Sequence, residues 1–516
     1  MPKNIVIFSD GTGQVGGINF DEDRTNIYKM YRACRVGPDS NIKPSEQVAF
    51  YDPGLGSVAD GGYMLGRAGR WVYNKISQAT GLGITANIID GYAALIRLWR
   101  PGDRIFLFGF SRGAYTVRCL ASVIGTCGIP QAEGGEKIRL NFTNSRRIAR
   151  RAVKRVYQYT HSVRRDQAKP RERELMDQRT ELGRQFRDHF KSSDPMDPSK
   201  ANVYPHFIGV FDTVSAVATP GSLIMLLLLY LGLVGIAAAA IKAIPSSGSV
   251  PVLGSFANQH PVIVVALLGV LGALVIGSIY FIKLIVWARG LREHSWWRTV
   301  HLVQPKQQFR DFDLNEYAGY ARHAISIDEN RSNFARVPWG FNDKKDKKHE
   351  GVDEAGNPWF QQLWFAGNHA DIGGGYPENE SRLSDCALGW MVAEARKAGL
   401  KVDDCVLRIH AACDGIQHDE VATGFGLFTR LTGRSWKRGL RSLPDVKTTV
   451  HESVYERFEC GDVLQYDVWV PYRPSGLETH EDFGWRYLTV PSRERVQAPT
   501  VNKDATVPRP TKEQPG

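Results

Sequence analysis

The sequence has few cysteines, and none of them forms a pair of the kind that holds a metal or a redox centre. Its seven cysteines are scattered over 516 residues, their number is odd, and no C-x-x-C motif occurs. A disulfide framework is therefore not expected, and a reducing compartment is favoured. The chain also lacks the G-x-x-x-x-G-K-[ST] loop of P-loop NTPases and the H-E-x-x-H helix of zinc peptidases. We expect neither a metal nor an organic cofactor.

Targeting signals and internal repeats are also lacking. The opening MPKNIVIFSDGTG contains no apolar stretch long enough for a signal peptide, and it predicts a strand that runs into a turn. The last residues, 496–516, are polar and rich in proline, which predicts a disordered tail.

Two long segments in the middle of the chain contain no charged residue. They cover residues 222–241 and 262–282, and each is about 20 residues long, the length of a helix that crosses the hydrocarbon core of a bilayer. The stretch between them carries Lys242 as its one Lys, Arg, Asp or Glu and contains proline and glycine, so we expect a loop. The pattern predicts a transmembrane helical hairpin over residues 221–283.

The charges beside this hairpin predict its orientation. Basic residues follow the second segment, and Trp287, Trp296 and Trp297 are of the type found at membrane interfaces. By the positive-inside rule, both flanks of the hairpin face the cytoplasm, which makes the protein a multi-pass membrane protein with a cytoplasmic catalytic domain. The small residues of GVLGALVIG allow close helix contact, and hence a homo-oligomer formed through the hairpin. The basic residues are Lys283, Arg289, Arg292 and Arg298.

The formal net charge is +11, and residues 145–174 are strongly basic with helical spacing. Such a segment suits either a solvated helix face or an anionic membrane surface, where each Lys or Arg contributes about 1 kcal/mol. Nucleic acid is not expected as a partner, because no recognised nucleic-acid-binding motif accompanies the charge.

Outside the hairpin, short apolar runs alternate with amphipathic helical stretches. Each run ends in a turn of Gly, Asp or Asn, an arrangement typical of a mostly parallel α/β sheet. We expect one α/β-hydrolase-like catalytic domain, made of residues 1–220 and 284–495 and split by the inserted hairpin. The predicted strands cover residues 4–10, 47–52, 104–110, 204–212 and 362–368.

The pentapeptide GFSRG places Ser111 between the strand RIFLFGF and a predicted helix. A G-x-S-x-G motif in this context is typical of a nucleophile elbow, in which small residues let the strand and the helix approach closely. Ser111 is therefore the candidate nucleophile.

A serine nucleophile needs a base, and the base needs an acid that orients it. Asp212 ends the run FIGVFD and His369 follows the run QLWFAGN, which gives the chain order Ser, Asp, His of α/β-hydrolases. Asp371 as the acid with His451 as the base is an alternative. His323 and the nearby Asp328 are further candidates.

Backbone amides near the candidate serine are expected to hold a developing oxyanion. The amide of Arg112 follows the nucleophile at the start of the helix, and Gly11 or Thr12, after the first strand, is read as the second donor.

Six blocks occur together in the chain in the order NIVIFSDGTGQ, YDPGLGS, GFSRGAYTVR, GVFDTVSAV, HAISIDENR and WFAGNHADIGGGY. In combination they resemble the catalytic domain of type VI secretion phospholipase effectors, an α/β-hydrolase family. The resemblance spans roughly residues 3–380. It implies a triad at Ser111, Asp212 and His369, and it implies hydrolysis of lipid esters. The inserted hairpin, directly after VFDTVSAV, departs from the family pattern.

These patterns predict a membrane-anchored serine hydrolase that acts on a membrane lipid or another ester, in the manner of a lipase or phospholipase. Two other functions fit the same sequence. One is a membrane-tethered binding or scaffold protein that has lost turnover, and the other is a secreted, toxin-like lipase effector.

Overall fold

The computed structural model describes the parts of the chain that form the central sheet and most of the helices around it. It covers residues 2–11, 23–54, 83–160, 167–214, 285–288, 295–302, 314–332, 334, 336–339, 352–423, 438–439, 441 and 443–487, with scattered single positions between 232 and 291.

A six-stranded sheet forms the centre of the fold, and every pair of neighbouring strands is parallel. The strand order across the sheet is β2-β1-β3-β4-β5-β6, so the direction of winding reverses between β1 and β3. The predicted parallel α/β sheet is confirmed. In chain order the strands are β1 (Asn4–Ser9), β2 (Gln47–Asp52), β3 (Arg104–Phe110), β4 (Pro205–Phe211), β5 (Tyr320–Ser326) and β6 (Phe360–Phe365).

Helices cover both faces of this sheet because alternate strand residues point to opposite sides and both sets are apolar. Ile5, Ile105 and Leu107 pack on one side, and Phe8 and Phe108 pack on the other. The helices are α1 (Asn26–Cys34), α2 (Ile84–Leu98), α3 (Arg112–Cys127), α4 (Phe142–Arg151), α5 (Pro170–Phe190), α6 (His369–Gly373), α7 (Arg382–Lys397) and α8 (Glu452–Glu459).

Shorter elements complete the described structure. Single helical turns occupy Ala152–Val156, Tyr157–Tyr159, Trp296–Thr299, Glu378–Glu380, Glu420–Thr423, Ser475–Leu477 and Gly484–Tyr487. Two-stranded antiparallel ribbons pair Ala132–Glu133 with Glu136–Lys137, Ile285–Trp287 with Val300–Leu302, and Asp462–Gln465 with Val468–Pro471.

Strand β5 is absent from the strands predicted from the sequence. Its central residues include Arg322 and His323, which interrupt the apolar run, yet both side chains are fully buried. The guanidinium of Arg322 donates to the carboxylate of Glu394 on α7 at 2.6 Å, which compensates the buried charge. The polar residues of β5 therefore acquire partners only in the folded chain.

The predicted transmembrane hairpin, with its segments 222–241 and 262–282, lies outside the described residues except for isolated positions. Among the residues that the structure describes, no helix combines the length and the hydrophobicity needed to cross a bilayer. Strands β4 and β5 lie on either side of this insertion and pair in one sheet. The predicted tail, 496–516, also lies outside the described residues.

Replacing Glu394 by Ala is expected to lower the free energy of unfolding by about 3–5 kcal/mol, because the guanidinium of Arg322 would remain buried without its carboxylate. Asp188→Ala is the matched control, since its pair with Arg184 on α5 is half exposed and should contribute no more than about 1 kcal/mol. Denaturant unfolding measures both. Equal losses in the two variants would contradict the structural role given to the buried pair.

Candidate functional site

The candidate site residues lie at the carboxyl edge of the parallel sheet. Ser111 follows β3, Asp212 follows β4 and His369 follows β6 by a short turn. This edge is where parallel α/β sheets bind ligands, especially beside the point at which the strand order reverses. Here that point lies between β1 and β3, next to Ser111.

Ser111 has a backbone conformation that non-glycine residues rarely adopt. Its φ is +58° and its ψ is −120°, between the last residue of β3 and the first residue of α3. The Ser111 N–H donates to the carbonyl of Phe211 at 3.1 Å, which ties the turn to the end of β4. Strained residues of this kind are concentrated at functional sites, and a nucleophile elbow holds its serine in such a turn.

Two glycines allow this turn to pack against the sheet. A Cβ atom on Gly109 would lie 2.5 Å from the carbonyl oxygen of Gly113, and one on Gly113 would lie 2.0 Å from the carbonyl oxygen of Ser9. Both contacts are far inside van der Waals distance and involve backbone, which cannot move aside cheaply. The glycines of GFSRG are therefore needed for the close approach of β1, β3 and α3.

Asp212 and His369 form a direct hydrogen bond. The His369 Nδ1 atom lies 2.5 Å from Asp212 Oδ2, and the Asp212 side chain is fully buried. His369 is the first residue of α6, whose N-terminus is capped by the Asn368 side chain. The imidazole lies against the ring of Phe110, with 4.6 Å between ring centroids, so it borders the residue that precedes Ser111.

The other ring nitrogen of His369, Nε2, is buried and has no hydrogen-bond partner among the described residues. Because the ionised carboxylate of Asp212 accepts only, the proton between the two side chains resides on Nδ1, and in the neutral imidazole Nε2 therefore carries the lone pair. This arrangement can accept a proton from a neighbouring hydroxyl.

Three further donors surround the Asp212 carboxylate. Arg441 donates from Nη1 to Oδ1 at 2.6 Å and from Nη2 to Oδ2 at 3.1 Å, and the Ser326 N–H donates to Oδ1 at 3.2 Å. Burial by itself would raise the pKa of Asp212. The positive charge of Arg441 and the hydrogen bond from His369 outweigh burial and hold that pKa well below its usual value.

The turn after β5 holds the turn that carries His369. Ser326 Oγ donates to the Gly367 carbonyl at 2.7 Å, and Asp328 Oδ2 accepts from the Gly367 N–H at 2.7 Å. Glu329 accepts from the His369 N–H at 3.1 Å. These residues belong to the block HAISIDENR. That block is one of the six that carry the family resemblance, but the sequence did not predict that its residues position His369.

The alternative pair, Asp371 and His451, is not brought together by a hydrogen bond in the described structure. Asp371 Oδ1 instead pairs with Nδ1 of His418 at 2.8 Å, and His418 Nε2 contacts Glu380 at 3.2 Å. His451 caps helix α8 and stacks on Phe365, with 4.5 Å between ring centroids. The His418 partner was not predicted, because it lies in an irregular stretch without a motif.

The remaining candidates, His323 and Asp328, are buried inside the protein. His323 Nδ1 contacts Gln362 at 3.1 Å, and burial lowers the pKa of His323 to about 3. The Asp328 carboxylate accepts from the hydroxyl of Tyr472 at 2.8 Å, and burial raises the pKa of Asp328 to about 6. Both side chains are held by structural partners away from solvent.

Of the three predicted oxyanion donors, the Arg112 amide directly follows Ser111 in the chain. Arg112 is the first residue of α3, where helix amides point outward from the N-terminus. The Gly11 N–H donates to its neighbour Asp10 at 2.7 Å, so it already has an acceptor. Thr12 lies outside the described residues. Within the described parts of the chain, no group of three or more His, Cys, Asp or Glu side chains could hold a metal ion.

A family comparison matches most of the chain. The catalytic domain described as "T6SS, Phospholipase effector Tle1-like" matches residues 3–243 and 275–394. The chain belongs to this family. The matched residues include Ser111, Asp212 and His369, whereas Arg441 lies beyond them.

Individual relatives are more distant. The uncharacterised protein YEL023C of Saccharomyces cerevisiae is 34% identical over 130 residues, which are 25% of this chain and 18% of that protein. An uncharacterised protein from Pseudomonas aeruginosa has a TM-score of 0.31 at 14% identity, over 78% of this chain and 46% of that one. A Tle1 effector bound to the VgrG spike has a TM-score of 0.31 at 13% identity, over 79% and 76%. The chain thus spans a minor part of the yeast protein and less than half of the Pseudomonas protein.

Asp10, which directly follows β1, gives the stability of the folded protein a pH dependence. Its carboxylate accepts from the hydroxyls of Thr25 and Tyr51, and burial raises the pKa of Asp10 from 3.8 to about 6. Because the pKa of Asp10 is higher in the folded protein than in the unfolded protein, protonation of Asp10 stabilises the fold. This stabilisation is complete below about pH 4 and is lost as the pH rises through about 6.

Asp10→Asn is expected to remove this dependence. The stability of the wild type relative to the variant should fall by about 2 kcal/mol between pH 4 and pH 7. Denaturant unfolding at intervals of one pH unit measures the difference. A constant difference across this range would contradict the titration assigned to Asp10.

Proposed function

We propose that the protein is a serine ester hydrolase in which Ser111, His369 and Asp212 act together on a lipid. One observation carries the proposal. The buried hydrogen bond between Asp212 and His369 lies at the same sheet edge as a serine with a φ of +58° in a G-x-S-x-G turn. Membership of a phospholipase effector family supports a lipolytic reaction.

In the proposed reaction, Ser111 Oγ attacks the ester carbonyl carbon while His369 Nε2 takes the hydroxyl proton. Asp212 keeps the imidazole in the tautomer that presents Nε2 and stabilises the imidazolium that forms. The amide of Arg112, at the start of α3, is the proposed donor to the oxyanion. His369 then protonates the leaving alkoxide, and water hydrolyses the acyl-enzyme by the reverse sequence of proton transfers.

A membrane lipid is the proposed source of the ester. The short ribbon after the second apolar segment and the helical turn between its two strands carry one exposed aromatic side chain each, Trp287 at 51% and Trp297 at 63% exposure. The Tyr159 hydroxyl donates to the Thr299 carbonyl at 3.1 Å, which joins this ribbon to the basic segment. Arg150, Lys154 and Arg155 of that segment are exposed. Tryptophans and basic side chains on adjoining elements suit an anionic membrane surface.

Ser111→Ala is expected to reduce hydrolysis of phospholipids and short esters by at least about 10⁴-fold, because it removes the proposed nucleophile. The fold should persist, since the smaller side chain fits the same turn. Turnover of a phospholipid panel in detergent micelles measures the effect, with product analysis to identify the bond that is cleaved.

Ser122→Ala on the same helix is the matched control and should retain full activity. His369→Gln and Asp212→Asn should each lose most of the turnover without loss of folded protein. Wild-type activity in the Ser111→Ala variant would refute the proposed nucleophile.

We propose that residues 221–283 form a transmembrane hairpin that anchors this hydrolase, which gives a second prediction. A central arginine in each apolar segment, as in a Leu228→Arg and Leu268→Arg double variant, costs roughly 2.5–3.5 kcal/mol per segment for insertion. The wild type should stay in the membrane pellet after alkaline carbonate extraction, and the double variant should be released. Ser247→Arg, in the predicted loop, is the control that should remain in the pellet. Release of the wild type would contradict a spanning hairpin.

The family description also favours a second candidate, a lipase effector that acts on the membrane of another cell. The two candidates differ in the membrane face at which the lipids are cleaved. Directing the chain to the opposite face of the membrane should cause lipid damage if it is an effector, and the Ser111→Ala form should not.

A further inference from the structure

Arg441 completes a closed set of contacts around the proposed acid and base. Its Nη2 atom donates both to Asp212 Oδ2 and, at 2.8 Å, to the carbonyl of Phe334. The Phe334 ring contacts the His369 imidazole edge-on, with 5.3 Å between ring centroids. The Nδ1 atom of His369 is in turn hydrogen-bonded to Asp212. One guanidinium therefore holds the acid and also the segment that packs against the base.

These contacts saturate the carboxylate of Asp212. A carboxylate offers about four lone-pair positions. His369 and one Arg441 nitrogen occupy Oδ2, while the other Arg441 nitrogen and the Ser326 N–H occupy Oδ1. The plane of the carboxylate is therefore fixed, and so is the direction of the bond to His369. A lysine could supply the charge at this position but not the two-pronged geometry.

The guanidinium and the imidazole bind the same carboxylate oxygen. Arg441 Nη2 and His369 Nδ1 both donate to Oδ2, so Arg441 determines which lone pair of Oδ2 is left for the imidazole. Other charged or titratable groups near the pair are Glu329, Arg331, Arg336 and His323.

We propose that Arg441 is a positioning residue for the reaction proposed above: it fixes the plane of the Asp212 carboxylate and thereby the direction of the hydrogen bond that orients the His369 imidazole. It comes from the region beyond the residues that match the family. This region would thus contribute to the catalytic machinery rather than only pack against it.

Arg441→Gln removes the two-pronged contact, and kcat should fall by about tenfold or more at unchanged KM through lost orientation of the acid and base. Arg438→Gln is the matched control, since that guanidinium pairs with Asp419 near the surface, and its kcat should not change. A wild-type kcat in Arg441→Gln would overturn the proposal.

Arg441→Lys tests the geometry and remains informative if Arg441→Gln does not fold. It keeps the positive charge but not the two-pronged geometry, so kcat should fall about tenfold at unchanged KM through lost orientation. Wild-type kcat in this variant would show that the two-pronged contact has no positioning role.

Proton NMR tests the positioning role without turnover, which separates this proposal from the proposed function. The His369 Nδ1 proton is held in the hydrogen bond to Asp212 and should give a resonance far downfield in the protein in detergent, and His369→Gln identifies that resonance. In Arg441→Lys the resonance should move upfield or broaden, because the accepting carboxylate is no longer fixed. Such a change in a protein that hydrolyses no ester would support the positioning role of Arg441 and refute the hydrolase. An unchanged resonance would overturn the role whatever the activity.

Discussion

The buried carboxylate of Asp212 is the constraint on which the rest of the site depends. An ionised group without solvent costs several kcal/mol unless charges and hydrogen bonds compensate it. Compensation comes from three separate parts of the chain, namely the backbone at the end of β5, the imidazole at the start of α6, and Arg441. The acid can therefore be both buried and charged only when the sheet, the short helix and the C-terminal region are assembled together.

The turn at Ser111 imposes a second constraint, which is steric. The backbones of β1, β3 and α3 meet so closely that Gly109 and Gly113 have no room for a Cβ atom. This packing fixes the serine at the point where the strand order reverses, one strand away from Asp212. The first apolar segment of the predicted hairpin begins at residue 222, ten residues after Asp212, so an extended connection spans at most about 35 Å. In the proposed function, this short connection keeps the site near the bilayer.

Much of the sheet could be predicted because its strands are apolar runs that end in turn residues, as RIFLFGF and FIGVFD do. Strand β5 was missed because Arg322 and His323 interrupt its pattern and find partners only through tertiary contacts. Ser111, Asp212 and His369 could be named because each follows a strand. The sequence could not show whether Asp212 or Asp371 is the acid, because the answer depends on which histidine each aspartate contacts in the folded chain. Arg441 gave no signal, since it lies in an irregular stretch 229 residues from its partner.

Covalent trapping tests the central claim most directly, because only a serine activated by a neighbouring base reacts rapidly with a fluorophosphonate. The account predicts one phosphonylated site in the full-length protein, mapped by mass spectrometry to Ser111 within residues 104–121 and lost in His369→Gln. A folded wild-type protein that forms no adduct, or forms it at another residue, would contradict the proposal that Asp212 and His369 activate Ser111.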